Sequence, residues 1–259
     1  MIDVTVSGTV KRRQALTRSG AQPGDQVYVS GTIGAAAAGL AWLRANASVP
    51  SRKSAVASQS QVTSQSQGTS RSQVVSPSTS DLQPATDSLP AADLRPATDS
   101  LSAADLRPAT DLRLATCDSL VSSYLLPTPR VRLGVLLARN RAAAACIDLS
   151  DGLADGVDRI AEASGVGIVI DADALPIDPA ARAQFEACGE DAVASALRGG
   201  DDYELLFTVR PRTRRRLRRV AQHGGVAITR IGECTADRAV VMRRGGELSP
   251  LPRGFSHFA

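Results

Sequence analysis

Residues 146–171 read CIDLSDGLADGVDRIAEASGVGIVID, and this stretch carries the strongest fold signal in the chain. It begins as a short buried strand, passes through an acidic loop into an amphipathic helix and ends in a second apolar strand. Leu153, Val157 and Ile160 share one face of that helix, because residues three or four apart are neighbours on a helical surface. Ser150 precedes the helix and is a residue type that commonly caps helix N-termini. The succession of strand, helix and strand predicts a layered domain in which helices pack on a sheet.

The sequence on both sides of this stretch continues the alternation of strands and helices. Upstream, the apolar pattern predicts strands at 2–10 and 26–31 and a helix within GTIGAAAAGLAWLRA at 31–45. Downstream, it predicts helices at 130–140, 179–187, 190–198 and 212–222 and strands at 165–175, 203–209, 226–234 and 238–244. The pattern predicts one α/β or α+β domain built from residues 1–47 and 124–259, whose two pieces pack as a unit.

Residues 48–123 have a different composition and separate these two pieces. Residues 48–80 are rich in Ser and Gln, and residues 81–116 are the hexads DLQPAT, DSLPAA, DLRPAT, DSLSAA, DLRPAT and DLRLAT. A short period of this kind can indicate a β-helix. The hexads lack Val and Ile, however, and most contain a Pro, which removes a strand hydrogen-bond donor. We therefore expect residues 48–123 to be a disordered linker.

Composition and charge argue against several classes of protein. The net charge is +4, and the Arg-rich stretch at 210–219 lacks the interleaved aromatic residues on which bases stack, so a solvated helix face is favoured over nucleic-acid binding. No apolar run approaches the roughly 18 residues of a membrane span, and the N-terminus does not read as a secretory signal. The four cysteines share no metal-binding spacing. We expect a cytoplasmic protein with reduced thiols and with neither a nucleic-acid nor a membrane partner.

The acidic loop of the opening stretch is the sharpest chemical signal. Asp148 and Asp151 flank Ser150 where a strand ends and a helix begins. Carboxylates are typical ligands of Mg²⁺ bound to phosphate, and a helix N-terminus favours phosphate groups. The alternative is an ordinary helix N-cap whose acidic residues complement the helix dipole, and the spacing alone favours that alternative.

Three further stretches offer weaker signals. Residues 199–204, GGDDYE, place three acids behind two glycines, and the alternative is a solvated loop. Arg18, in RSGA, suits a phosphate group, although a surface arginine is the simpler interpretation. The glycines of GTIG at 31–34 could cradle phosphate, but they lack a Walker lysine or a GxGxxG pattern. A serine hydrolase is not indicated, because the chain has only His223 and His257 and no GxSxG.

Six stretches, taken in order, resemble the thiamine-monophosphate kinases, of the superfamily that includes aminoimidazole ribonucleotide synthetase. They are DVTVSGTV, ALTRSGAQPGDQVYVSGTIGAAAAGL, CIDLSDGLADGVDRIAEASGVGIVID, LRGGDDYELLFTV, ITRIGE and GFSHF. The resemblance covers everything outside 48–123. It implies the C-terminal α+β domain of the synthetase-like fold. It also implies transfer of the γ-phosphoryl group of ATP to thiamine monophosphate, with several Mg²⁺ ions, to give thiamine diphosphate.

The resemblance also assigns expected roles to six residues. Asp201 stands where the family usually has a glutamate, and Phe255 where it has an aromatic residue against the substrate. The implied residues are Asp148 and Asp151 for Mg²⁺, Arg18 and Ser150 for ATP, and Asp201 and Phe255 for the substrate. Phosphoryl transfer depends on neutralising charge and on positioning, so these residue types agree with the chemistry.

The chain also departs from the family pattern. The family has an N-terminal domain before DVTVSG, which supplies most Mg²⁺ ligands through an acidic G-D-D motif and most contacts of a homodimer. We expect this chain to be the C-terminal half of such a kinase, as a truncated gene model, a fragment or a decayed copy, with impaired activity. The alternative is a non-catalytic remnant that binds phosphate ligands.

Overall fold

The computed structural model describes residues 9–11, 14–46, 109–252 and 254, with the main chain alone for 109–116. In chain order the elements are β1 (Gln26–Ser30), α1 (Ala35–Asn46), α2 (Ala109–Leu125), α3 (Val131–Asn140), β2 (Ala145–Asp148), α4 (Leu153–Ser164), β3 (Gly167–Asp171), α5 (Pro179–Ala187), α6 (Ala192–Arg198), β4 (Leu205–Val209), α7 (Arg214–Gly224), β5 (Ile228–Thr235), β6 (Val240–Arg244) and β7 (Glu247–Pro250). The strand expected at 2–10 lies almost wholly outside the described residues.

The strands of the described residues form one sheet in the order β2-β4-β1-β5-β3-β6-β7. Strand β1 pairs antiparallel with both β4 and β5, and only β3 and β6 run parallel. Because β1 comes from the first flank and both its neighbours come from the second, the two flanks form one structural unit. The predicted α+β fold is confirmed.

Helices cover both faces of the sheet around β1. The side chains of Val27 and Val29 belong to the larger core, which also contains the apolar faces of α4, α5 and α6. Tyr28 points to the other face, where its ring stacks on Phe207 at 5.8 Å and joins the core beneath α3 and α7. The alternation in β1 follows from the two-residue period of a strand.

Several predicted boundaries shift, for local conformational reasons. The strand predicted to begin at residue 165 begins at Gly167, because Gly165 takes a left-handed conformation as the C-cap of α4. The strand predicted at 203 begins at Leu205, because Tyr203 has a φ of 51°, which a strand does not allow. Strand β7, which follows a Gly245-Gly246 turn, was not predicted.

Helix α2 corrects the predicted linker boundary at residue 123. The helix begins at Ala109, inside the hexad repeat, so the ordered domain resumes fifteen residues earlier than expected. Leu120 is buried, and α2 packs closely on α1, where a Cβ at Gly39 would lie 2.2 Å from the main-chain oxygen of Leu120. The helix depends on this tertiary contact, which a Ser-rich and weakly amphipathic sequence does not reveal. The rest of the expected linker lies outside the described residues.

This close contact gives a test of the helix pair. We expect Gly39→Ala to lower the free energy of unfolding by about 1–3 kcal/mol, because the added methyl group forces α1 and α2 apart. The matched control is Gly134→Ala in α3, where the new Cβ would lie 3.7 Å from Leu205 Cδ1, an ordinary contact. That control should gain up to about 1 kcal/mol from helix propensity. Urea unfolding of both variants would measure the difference, and equal effects would contradict the contact.

Candidate functional site

Two acidic loops that are distant in sequence lie against each other at one end of the β2–β4 pair. One is residues 148–152, after β2, and the other is residues 199–204, before β4. Three main-chain hydrogen bonds join them: Leu149 N to Glu204 O (2.8 Å), Tyr203 N to Leu149 O (3.1 Å) and Asp201 N to Ser150 O (2.8 Å). Because β2 and β4 are antiparallel neighbours, the end of one strand meets the start of the other. The fold therefore brings together the two strongest acidic signals of the sequence.

Glycines allow this close approach. A Cβ at Gly152 would lie 2.6 Å from the oxygen of Gly199, and one at Gly200 would lie 2.6 Å from the oxygen of Ser150. Asp201 and Tyr203 also have positive φ values, 66° and 51°, which side-chain-bearing residues adopt at a cost. Strained main chain held by surrounding hydrogen bonds is common in binding sites. We refer to the two clasped loops as the acidic clasp.

Three carboxylates of the acidic clasp, those of Asp148, Asp151 and Asp201, influence the phenol of Tyr203. Asp148 is exposed at the end of β2, and Asp151 and Asp201 are partly buried. The pKa of Tyr203 is raised, first by its desolvation and then by the negative charges of Asp201, Asp148 and Asp151. The negative charges of these carboxylates therefore all reach Tyr203, and a positively charged group is favoured near it.

Ser150 does not cap α4, contrary to the sequence interpretation. The N-cap is Gly152, with a φ of 95°, and a glycine has no side chain with which to cap the helix. The helix begins two residues later than an N-cap at Ser150 would require, because the chain first turns toward residues 199–204. The ordinary-cap alternative for Ser150 is therefore wrong.

A cavity of about 580 Å³ opens beside the acidic clasp. Its apolar wall comes from α1 and from Tyr124 of α2, and Arg44 and Arg198 supply positive charge. The polar side contains Ser150, Asp151, Asp201 and Tyr203. The cavity thus combines an apolar wall with carboxylates and guanidinium groups, which suits a ligand with an apolar ring and charged substituents.

The carboxylate of Asp202 is bound at the glycine turn GTIG, residues 31–34, which was considered from the sequence as a phosphate cradle. Its carboxylate accepts hydrogen bonds from Gly34 N (2.8 Å) and Ala36 N (3.3 Å) at the start of α1. Burial raises the pKa of Asp202 to about 7, against the lowering effect of these two donors. The protein's own carboxylate therefore takes the place that a phosphate would need, and GTIG is not a phosphate cradle.

Glu204, the third acid of GGDDYE, is a buried structural residue. Arg130 Nε donates to Glu204 Oε2 at 2.8 Å and Arg130 Nη2 donates to Oε1 at 2.5 Å, while Ser30 Oγ donates to Oε2. A Cβ at Gly31 would lie 2.0 Å from this carboxylate, so the glycine makes room for it. Of the three acids, Asp201 is the one that lines the cavity of the acidic clasp.

The titration of Asp202 gives a pH test. Because its pKa is higher in the folded protein than its ordinary value of 3.8, the folded state binds the proton more tightly. Asp202 therefore stabilises the fold below about pH 4 and loses that contribution as the pH rises to about 7. We expect the stability of the wild type, relative to Asp202→Asn, to be lower at pH 8 than at pH 5. Urea unfolding at the two pH values tests this, and the opposite trend would contradict it.

Arg18 is not brought to the acidic clasp by the described structure. Arg18 is exposed, and its main-chain oxygen accepts a hydrogen bond from Ser164 Oγ at the C-terminal end of α4. Asp151 precedes the other end of this helix, which is about 18 Å long. Phe255 lies outside the described residues, so its role stays a prediction.

The donor set of the acidic clasp suits a metal that is also held by phosphate. Within residues 14–46 and 109–252, no group of three or more His, Cys, Asp or Glu side chains is placed to hold a metal ion. Asp148 and Asp151 nevertheless supply two carboxylates, and Mg²⁺ commonly uses one or two carboxylates together with substrate phosphates and water. The residues therefore fit a phosphate-bound Mg²⁺ better than a metal held by protein alone.

The expectations of reduced cysteines and of no membrane-spanning segment can be compared with the described structure. All four cysteines are free thiols, and burial raises the pKa of Cys146 and Cys234 to about 12. Among the helices that the structure describes, none has the length and apolar character needed to cross a membrane.

A mixed sheet with helices on both faces is an α+β architecture, and comparison with known families identifies it as the synthetase-like class. Residues 98–244 match the family model described as AIR synthase related protein, C-terminal domain. The chain belongs to this family, as the resemblance implied.

Within this family, the chain is similar to individual thiamine-monophosphate kinases. The chain is 34% identical to thiamine-monophosphate kinase of Escherichia coli K12, over 98% of this chain and 58% of that protein. The crystal structure of thiamine-monophosphate kinase from Stenotrophomonas maltophilia K279a matches with 33% identity and a TM-score of 0.60, over 93% of this chain and 56% of that one. AaThiL, solved in complex with AMPPCP and TMP, shares the fold at 23% identity, with a TM-score of 0.56 over 94% of this chain and 54% of that one. The chain thus spans somewhat more than half the length of these relatives.

Proposed function

We propose that this chain supplies the acidic clasp of a thiamine-phosphate kinase, which uses ATP and Mg²⁺ to phosphorylate thiamine monophosphate to thiamine diphosphate. The observation that carries the proposal is the main-chain clasp between residues 148–152 and 199–204, which gathers Ser150, Asp151 and Asp201 beside one cavity and includes Asp148 at the end of β2. Identity of 34% to the Escherichia coli kinase along 98% of this chain supports the assignment.

Asp148 and Asp151 would hold Mg²⁺ through one carboxylate each. When bound there, Mg²⁺ neutralises charge on the phosphate oxygens of the nucleotide. The side chains contribute hard oxygen ligands on main chain that the clasp fixes. Positioning of this kind supplies much of the catalysis in phosphoryl transfer, so no protein nucleophile is required.

Ser150 would contact ATP from the cavity wall, and Asp201 would face the substrate. Both residues line the same cavity, whose apolar side is formed by α1. A carboxylate and an aromatic face favour a cationic ring such as a thiazolium, which supports the substrate roles of Asp201 and Phe255. The main-chain oxygen of Arg18 is hydrogen-bonded to Ser164 at the C-terminal end of α4, away from this cavity. Arg18 would therefore contact ATP only where the nucleotide extends beyond the cavity. The proposal includes cytoplasmic activity and a homodimer formed through the family's N-terminal domain.

The alternative is a non-catalytic remnant that binds phosphate ligands. One observation favours this alternative: the described residues contain no group of three or more His, Cys, Asp or Glu side chains that could hold a metal ion. The proposed Mg²⁺ ligands are only two carboxylates, those of Asp148 and Asp151. Two carboxylates can retain a nucleotide-bound Mg²⁺ without supporting the in-line geometry of phosphoryl transfer.

The two functions can be separated by a paired assay. The chain is incubated with ATP, Mg²⁺ and thiamine monophosphate, alone and with the N-terminal domain of the Escherichia coli relative added in trans, and thiamine diphosphate is quantified by chromatography. We expect little product from the chain alone and more when the domain is added. Binding of Mg²⁺–ATP without product in either mixture would favour the remnant, and the absence of both would contradict the proposed site.

A further inference from the structure

A second cavity, of about 370 Å³, lies at the opposite end of the β2–β4 pair from the acidic clasp. It is formed by residues 141–144, which precede β2, and by residues 210–216, which follow β4. Four arginines line it: Arg141, Arg210, Arg212 and Arg216. None of its lining residues belongs to the cavity of the acidic clasp. We refer to it as the basic cavity.

The positive charge of the basic cavity is poorly compensated. Among the described residues, none of its four arginines forms an ion pair with a carboxylate within 4.0 Å. The charge of Asp25 reaches Arg210 and Arg212. Burial raises the pKa of Asp25, and the two arginines lower that pKa by a smaller amount. The side chain of Asp25 accepts a hydrogen bond from Gln22 N instead. Four guanidinium groups that share one cavity repel each other unless an anion lies between them.

Main-chain contacts hold two of these guanidinium groups in place. Arg210 Nη2 donates to Gly20 O at 3.2 Å, and Arg216 Nη1 donates to Arg141 O at 3.3 Å. Among the described residues, Arg210 Nε is buried without a hydrogen-bond partner, which is costly for a charged group. The guanidinium groups of Arg210 and Arg216 are therefore restrained beside the cavity, and that of Arg210 is incompletely satisfied.

The start of α7 adds positive charge at the same place. Its first turn contains Arg214, Arg215 and Arg216 and no acidic residue, and the side chain of its N-cap, Thr213, makes no capping hydrogen bond. Positive side chains at a helix N-terminus oppose the helix dipole. An arrangement that costs stability and is not locally compensated is typical of a ligand site rather than of a solvated helix face.

We propose that the basic cavity binds a phosphate or diphosphate group, at a site distinct from the acidic clasp and independent of the proposed kinase function. Guanidinium groups bind phosphate oxygens through paired, charge-assisted hydrogen bonds, and four of them suit a diphosphate better than a singly charged anion. Arg212 and Arg216 are exposed, whereas Arg210 is partly buried and hydrogen-bonded to Gly20 O.

The test uses inorganic pyrophosphate and calorimetry on the full chain, with EDTA present so that no metal links the anion to the acidic clasp. We expect the wild type to bind and the double variant Arg212→Gln/Arg216→Gln to bind about tenfold or more weakly, because two charge-assisted contacts are lost. The matched control is Arg215→Gln/Arg219→Gln, which removes the same charge from exposed positions of α7 that do not line the cavity. Its affinity should change by about twofold at most, since long-range charge is screened.

Three outcomes would overturn the proposal. They are failure of the wild type to bind pyrophosphate, equal weakening in both double variants, and displacement of pyrophosphate by short single-stranded DNA that binds more tightly. Equal weakening would indicate the general field of α7 rather than a site. Tighter DNA binding would assign the arginines to nucleic acid. Circular dichroism of each variant verifies that the helix content is unchanged before binding is compared.

Discussion

We expect Arg130→Met to lower the free energy of unfolding by about 3–5 kcal/mol, because it leaves the buried carboxylate of Glu204 without its charged partner. The side chain of Glu204 is 3% exposed and that of Arg130 is 27% exposed, so the arginine covers the acid from solvent. Ser30 Oγ would remain as a donor to Glu204, but a single hydroxyl does not replace two charge-assisted hydrogen bonds. Urea unfolding measures the change.

The matched control for this prediction is Arg132→Met. Arg132 is exposed in the first turn of α3 and has no ion pair among the described residues, so its substitution should change stability by about 0.5 kcal/mol or less. A second variant, Arg130→Met/Glu204→Leu, removes both charges together. If the destabilisation comes from an unpaired buried carboxylate, the double variant should be more stable than Arg130→Met. A double variant that is no more stable would contradict this explanation.

The sequence was sufficient to predict the elements whose pattern is local. Leu153, Val157 and Ile160 are fully buried on one face of α4, and the alternation of Val27, Tyr28 and Val29 sends neighbouring side chains to opposite faces of the sheet. These periods are set by helix and strand geometry, so they can be counted along the chain. The resemblance identified the family because its motifs occur in order.

Features that depend on contacts between distant residues were not predictable in this way. The pairing of Arg130 with Glu204 joins residues 74 positions apart, and neither neighbourhood signals it. Helix α2 is held by packing against α1 through Gly39 and Leu120, while its own sequence continues a repeat typical of linkers. Ser150 was predicted to be an N-cap from its residue type, but its main-chain oxygen accepts from Asp201 N instead. In each case a long-range contact determined the outcome.

The two ends of the β2–β4 pair differ in charge, and this difference depends on how the strands pair. The acidic clasp lies at one end of the two strands, and the basic cavity lies at the other. Along a strand of four or five residues this separates the two sites by about 15 Å. The strand predicted between GGDDYE and the arginines of 210–219 separates these two groups already in the sequence. Only the antiparallel pairing of β2 with β4 shows that residues 148–152 join the first group and Arg141 joins the second.

We expect Asp151→Asn to reduce thiamine diphosphate formation by about 10³-fold, because the amide keeps the shape of the carboxylate but removes one of two negative charges available to Mg²⁺. The measurement uses the chain with the Escherichia coli N-terminal domain added in trans. Mn²⁺ titration in the presence of ATP, followed by electron paramagnetic resonance, gives a second readout that needs no turnover. The metal affinity should fall in parallel with the activity, since the same carboxylate is responsible for both.

The matched control for Asp151→Asn is Asp118→Asn, an identical change of charge at an exposed position of α2. Asp118 does not line the cavity of the acidic clasp, so its substitution should leave both Mn²⁺ affinity and product formation within about twofold of the wild type. Circular dichroism of Asp151→Asn verifies that the helix content is unchanged before metal affinity and turnover are compared. If Asp151→Asn retained full Mn²⁺ affinity and turnover, the carboxylate would have no part in holding the metal, and the assignment of the acidic clasp as the nucleotide site would be wrong.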